Sequence, residues 1–352
     1  MTPPPGQDWN ELHLSEDPAV EVLQALGYAY VSPEVLEAER ESLKENILTK
    51  RLGRALKRLN PWLSDDNTNK AIRTITTVQA AGLLDASEKV HTDLTYGISL
   101  EQDRGAGKQG QTIRFFDFDD PGKNELVVTR QYRLQGVKKQ IVPDVVIIVN
   151  GIPLAVIECK SPTLGDKWRM EAIEQLLRYQ EIDEHYRELG MPRLFETVQV
   201  VAAVCGQAAF YGTVTTQPRF FFEWKSTHPR SPADLVRLLG RTATPQDTLL
   251  AGLLAPEILL DVFRNFTVFE RDEKTGRTIR KIPRYQQYAA VSKAIARART
   301  AKRATDRGGI VWHTQGSAPA CLPWQHRMAT PSSSTLAPAS RPRRRPSPSQ
   351  LL

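Results

Sequence analysis

Two apolar runs, Val145–Val149 and Leu154–Cys159, are separated by the turn-forming pair Asn150-Gly151 and bracketed by charge. Asp144 stands before the first run, while Glu158 and Lys160 close the second. Apolar strands bury their side chains, so three charges at their ends need a reason. Glu158 and Lys160 lie two residues apart and share one strand face, with Cys159 on the other. A plain two-residue turn at Asn150-Gly151 would pair Asp144 with Ile157 and place it on the face opposite Glu158. A three-residue loop, Asn150 to Ile152, or a single bulge brings Asp144 opposite Glu158 instead. If the three charges act together, the hairpin must contain such an offset.

Brought together, the two carboxylates are hard oxygen donors for a Mg²⁺ ion, joined by the Cys159 carbonyl. Lys160 beside them would orient or help deprotonate an attacking water and offset charge on a pentavalent phosphorus. That set suits phosphodiester hydrolysis. The plainer reading is an exposed strand end with ordinary surface charges, and spacing by itself does not separate the two.

Cys159, Cys205 and Cys321 are an odd, scattered set, which points away from a disulfide framework and towards a reducing, cytoplasmic setting. No early segment combines a basic start with a long apolar run, and the longest apolar runs are strand-sized, so neither a signal peptide nor a membrane span is expected. The net charge of +7 suggests nucleic acid until it is divided along the chain. Residues 318–352 hold five arginines and no acidic residue, leaving only +2 for the first 317. DNA affinity must come from local patches.

Residues 1–10 read as a loose, Pro-rich start. Pro33 to about Leu59 reads as one long amphipathic helix capped by Ser32, with Lys50, Arg51, Arg54, Lys57 and Arg58 as a solvated basic face. A second helix is expected from Asn67 to about Ala81. Ile113–Phe118, Leu126–Tyr132, Val145–Val149 and Leu154–Cys159 read as strands, followed by a helix over Arg169–Leu189 and strands at Thr197–Cys205 and Ala208–Thr215. This order predicts an α/β (α+β) core with a mixed sheet flanked by helices. A linker is expected over 226–245, then helices over Leu249–Asn265 and Lys281–Ala298 around a charged turn at Arg271–Thr278. The Pro-, Ser- and Arg-rich residues 318–352 predict disorder. Phe220, Phe221, Phe222 and Trp224 read as packing, and Glu88, His91 and Glu101 receive no role.

Pro143-Asp144 followed by Glu158-Cys159-Lys160 resembles the PD-(D/E)xK nuclease motif. More narrowly, the stretch from Pro143 to Pro162 resembles the N-terminal nuclease domain of type I restriction enzyme R (HsdR) subunits, as do Asp117–Pro121 and Asn124–Val128. That family places Gln-x-x-x-Tyr on a helix after the lysine, and Gln175-Leu-Leu-Arg-Tyr179 stands there. The resemblance implies a PD-(D/E)xK core over 11–225 with Asp144, Glu158, Lys160, Gln175 and Tyr179 as catalytic residues and Asp144 and Glu158 as Mg²⁺ ligands. It implies endonuclease cleavage of double-stranded DNA in complex with methylation and specificity subunits of a restriction system.

The resemblance extends into an ATP-driven motor over 246–317. Gln287, within Arg284–Val291, resembles its adenine-sensing glutamine, and Gly308–Ser317 resembles the strand and first half of a phosphate-binding loop, with Gly316 and Ser317 as nucleotide contacts. The family's Gly-Lys-Ser should follow; Ala318-Pro319-Ala320 stands instead. This removes the lysine and hydroxyl that would hold phosphate and Mg²⁺, and proline deletes a backbone N–H. The expectation is an incomplete P-loop domain without ATP hydrolysis, broken by a frameshift or truncation near Ser317. The alternative function is a remnant that binds DNA or subunits and cuts nothing.

Overall fold

The computed structural model describes residues 12–303, apart from 106, 274, 275 and 302. A six-stranded mixed sheet forms its centre: β1 (Ala29–Tyr30), β2 (Leu126–Arg130), β3 (Val145–Val149), β4 (Ile152–Cys159), β5 (Val200–Val204) and β6 (Ala209–Gly212), adjacent in that order. β1 runs parallel to β2 and β4 parallel to β5; the other neighbours are antiparallel. β3, β4 and β5 are buried along their whole length, because both faces of the sheet are covered. On one face Val145, Ile147, Ile157 and Cys159 join a core with α1 (Asp17–Ala25) and α2 (Thr49–Leu59). On the other, Val146, Ile148 and Val156 pack with α3 (Trp168–Tyr179) through Ile173 and Leu176.

The hairpin carries the expected offset. Asn150 and Gly151 form a two-residue turn with φ of +52° and +83°. The pairing runs Val149 to Ile152 and Ile148 to Pro153, then slips so that Ile147 faces Ala155 and Val145 faces Ile157. The slip makes Leu154 and Ala155 join the same apolar cluster although they are consecutive. Every later residue of β4 is thereby turned over.

Other boundaries differ from the sequence reading. The long helix over 33–59 is two helices, Pro33–Glu39 and α2. Arg40 leaves the helix because its guanidinium donates to the carbonyls of Arg133 (3.0 Å) and Glu45 (3.3 Å) and lies over the Tyr132 ring. The expected 226–245 linker contains a helix, Pro232–Leu239, whose start is fixed by a reciprocal cap between Ser231 and Asp234. The stretch 249–265 is two helices, Pro245–Leu253 and Pro256–Phe266, since Pro256 cannot continue the first. Both extend the core around α1: Tyr28 Oη donates to the Leu254 carbonyl at 2.8 Å, and Gln246 Nε2 to that of Ser15 at 2.9 Å. The helix expected to reach Leu189 stops at Tyr179, whose carbonyl accepts from Met191 N at 2.9 Å. The strand expected at 113–118 is Lys108–Ile113, paired with Ile98–Asp103, and helix Leu83–Tyr96 precedes that pair; the sequence reading missed the partner strand and the helix. The start of the phosphate-binding loop and the 318–352 tail lie outside the described residues.

A Cβ on Gly151 would come within 2.6 Å of the Leu48 carbonyl oxygen and 2.8 Å of Leu52 N. Gly151→Ala is therefore expected to destabilise the chain by about 1–3 kcal/mol. Gly53→Ala, inside α2 with no contact closer than 3.7 Å, should stabilise it, by about 0.5–1 kcal/mol. Urea unfolding of both variants checks the pair of opposite signs.

Candidate active site

The register slip places Asp144 level with Glu158, on the α3 face shared by Val146, Ile148 and Val156. Asp144 Oδ2 accepts a hydrogen bond from Cys159 N at 2.8 Å. Lys160 Nζ donates to Glu158 Oε1 at 3.0 Å and to the Cys159 carbonyl at 2.8 Å, and lies 3.9 Å from Asp144 Oδ2. The three predicted residues thus meet at one strand end. All three are buried, Glu158 completely. Cys159 points to the opposite face, where burial raises its thiol pKa well above the usual range; a thiol so held is not a nucleophile.

Burial, reinforced by the Asp144 charge and only partly offset by Lys160, pushes the Glu158 carboxyl well above the usual carboxylate range. Its Oε2 is buried with no hydrogen-bond partner among the described residues. Such a group needs a cation or a proton. The oxygens around the Lys160 ammonium, two carboxylates and a main-chain carbonyl, are the donor chemistry a Mg²⁺ ion accepts. Among the described residues no three His, Cys, Asp or Glu side chains form a metal-binding group. The sparse set still fits Mg²⁺, which commonly takes one or two carboxylates and keeps several waters.

Gln175 and Tyr179, one helical turn apart on α3, are joined by a hydrogen bond from Gln175 Nε2 to Tyr179 Oη at 2.7 Å. Tyr179 Oη in turn donates to the Val142 carbonyl at 3.2 Å, two residues before Asp144. Burial and then the Glu158 charge raise the phenol pKa above its ordinary range, so it remains a donor.

The site also contains residues that the sequence reading missed. Glu16, at the start of α1, is buried and accepts from Gln131 Nε2 at 2.9 Å, and the same nitrogen lies 3.4 Å from Asp144 Oδ1. Arg130 sits 3.6 Å from Glu16 and pairs with Asp17. Sequence distance from Asp144 hid Glu16 and Asp17, whose one signal was an acidic pair opening a helix; Gln131, 13 residues before Asp144, carried no motif signal. His91 is structural: it is buried, shares a hydrogen bond with Gln199 and packs edge-on against Phe263 at 4.9 Å. Burial and the nearby Arg280 push it down to about 3. Glu88 and Glu101 are exposed. Phe221 and Trp224 are buried, while Phe220 is half exposed. Gln287 caps the helix Tyr285–Thr300, accepting from Arg284 N at 2.8 Å. Gly316 and Ser317 lie outside the described residues.

A mixed sheet with acidic residues and lysine gathered at one strand end is a nuclease-like core. The sequence profile of the type I restriction enzyme R protein N terminus (HSDR_N) matches residues 8–220, and the chain belongs to that family. A Haemophilus influenzae protein named type I restriction enzyme HindI endonuclease subunit is 29% identical over 303 residues, covering 84% of this chain and 28% of its own length. A Methanocaldococcus jannaschii protein, named as the MjaIXP endonuclease subunit of a type I restriction enzyme, is 27% identical over 333 residues, 88% of this chain and 30% of its own. The chain spans less than a third of the length of these relatives. No helix among the described residues is long and apolar enough to cross a membrane.

Burial, then the charge of Asp144, raise the Glu16 carboxyl from its ordinary 4.5 to about 7, against the lowering effects of Gln131 and Arg130. The folded state therefore holds this proton more tightly than the unfolded chain. Its contribution to stability is full below pH 4.5 and is lost as pH rises through about 7. In chelator, Glu16→Gln should flatten the fall in stability across that window, each unit of displacement being worth about 1.4 kcal/mol. Superimposable pH–stability curves for the two proteins would contradict this.

Proposed function

We propose that this chain is the DNA-cleaving part of a type I restriction R subunit and hydrolyses phosphodiesters of unmodified foreign double-stranded DNA with Mg²⁺. The observation that carries the reading is the convergence of Asp144, Glu158 and Lys160, set by one bulge in the β3–β4 hairpin. Asp144 and Glu158 would hold the ion, with the Cys159 carbonyl as a third oxygen. When bound, Mg²⁺ supplies Lewis acidity at the phosphoryl oxygens and a more acidic water. Lys160 contributes positive charge for the attacking water and the scissile phosphate, carried on a flexible four-carbon arm. Tyr179 fixes the Val142–Asp144 approach from behind, and Gln175 orients Tyr179 and reaches towards the DNA backbone.

The relatives are named as endonuclease subunits, which supports work within a multi-subunit assembly. In this reading the assembly is cytoplasmic, its other members are specificity and methylation subunits, and the choice of DNA sequence lies outside this chain. ATP drives the intact machine in this reading. Ala318-Pro319-Ala320 stands where the phosphate loop needs lysine and a hydroxyl, so this chain itself does not hydrolyse ATP. The same departure favours the second reading, an inert remnant that still folds.

Plasmid DNA incubated with Mg²⁺ and the purified chain separates the two. Nicking by the wild type, lowered about 100-fold or more in Asp144→Ala and Lys160→Ala, is the expected result. Equal nicking by all three proteins would place the activity elsewhere, and no nicking by any would favour the remnant. DNA-stimulated ATP hydrolysis by the chain would overturn the loss of the motor.

A further inference from the structure

Gln131 follows β2 with a backbone φ of +47°, a left-handed conformation that strains a residue with a Cβ. Its main-chain N–H donates to the Asp144 carbonyl at 2.8 Å, and Tyr132 N–H donates to that of Pro143 at 3.0 Å. Its side-chain Nε2 donates to Glu16 Oε2 at 2.9 Å and lies 3.4 Å from Asp144 Oδ1. One residue therefore holds Asp144 by main chain and side chain together. Gln131 is nonetheless exposed, at the rim of the site, so packing does not account for the strained backbone.

We propose that Gln131 is the positioning residue for Asp144, its amide fixing the carboxylate that binds the divalent cation and bracing it against Glu16, which immediately precedes α1. The proposal rests on reading Asp144 as a metal ligand. An amide suits the task because it offers two N–H donors to two carboxylates without adding charge. Lysine or arginine in its place would neutralise the negative field that attracts the cation. The left-handed turn is what points this side chain back across the strand end, which gives the strain a function.

Mn²⁺ binding to the full chain, read by electron paramagnetic resonance of free and bound ion, tests the assignment. Glycine takes a positive φ freely, so Gln131→Gly removes the amide and relieves the strain. Its dissociation constant for Mn²⁺ should rise about 10-fold or more, while its unfolding temperature in chelator stays at or above that of the wild type. Gln131→Asn tolerates the same backbone but cannot span both carboxylates, and should lose affinity likewise. If both variants bind Mn²⁺ like the wild type while Asp144→Ala does not, Gln131 has no positioning role and the carboxylate site stands. If Asp144→Ala itself binds like the wild type, the metal site is wrong and Gln131 has nothing to position. A lower unfolding temperature with unchanged affinity would make Gln131 merely structural.

Discussion

A single extra residue in β4 governs the chemistry of this fold. Side chains alternate along a strand, so one slip between Ile148–Pro153 and Ile147–Ala155 moves everything beyond it to the other face. Without the slip Ile157 would pair with Asp144, Glu158 would face α1 and α2, and the two carboxylates would lie on opposite faces of the sheet. With it, Asp144 and Glu158 lie level, and Lys160 bonds to Glu158 and the intervening carbonyl.

The surrounding structure counters the cost of that arrangement. Bringing carboxylates together in a buried strand end is unfavourable through desolvation and mutual repulsion, which is why Glu158 resists ionising. Lys160 offsets part of this, Cys159 N holds Asp144 Oδ2, and Tyr179 ties down the Val142 carbonyl at the approach to the strand. The turn end is equally fixed. Asn150 is fully buried and hydrogen-bonds to Phe115, Asn124, Glu125 and Arg58, so the hairpin has no freedom to re-register. Rigid elements set the site geometry, as the proposed metal-binding role would require.

The central part of this design was legible in the sequence because it is local. Asp144, Glu158 and Lys160 sit on one hairpin, and strand periodicity demanded the offset that the structure contains once the three charges were read as acting together. Gln175 and Tyr179 were legible through the family's Gln-x-x-x-Tyr pattern, with helical spacing placing both on one face. What could not be read is set by contacts between distant segments. Arg40 breaks a well-patterned helix to reach the Arg133 carbonyl, 93 residues away. Glu16 and Gln131 join the site from 115 residues apart. Pro256 was a local signal of a helix boundary that periodicity overrode, and the Ser231–Asp234 cap was one passed over when 226–245 was read as a linker.

The central claim is that the hairpin offset builds a divalent-cation site. Anomalous diffraction from crystals soaked in Mn²⁺ tests it most directly. The account predicts a peak bonded to both Asp144 and Glu158, at about 2.0–2.3 Å from their oxygens, which disappears in Asp144→Ala crystals. A wild-type site with no peak beside these carboxylates, in crystals where Mn²⁺ binds elsewhere on the chain, would contradict it.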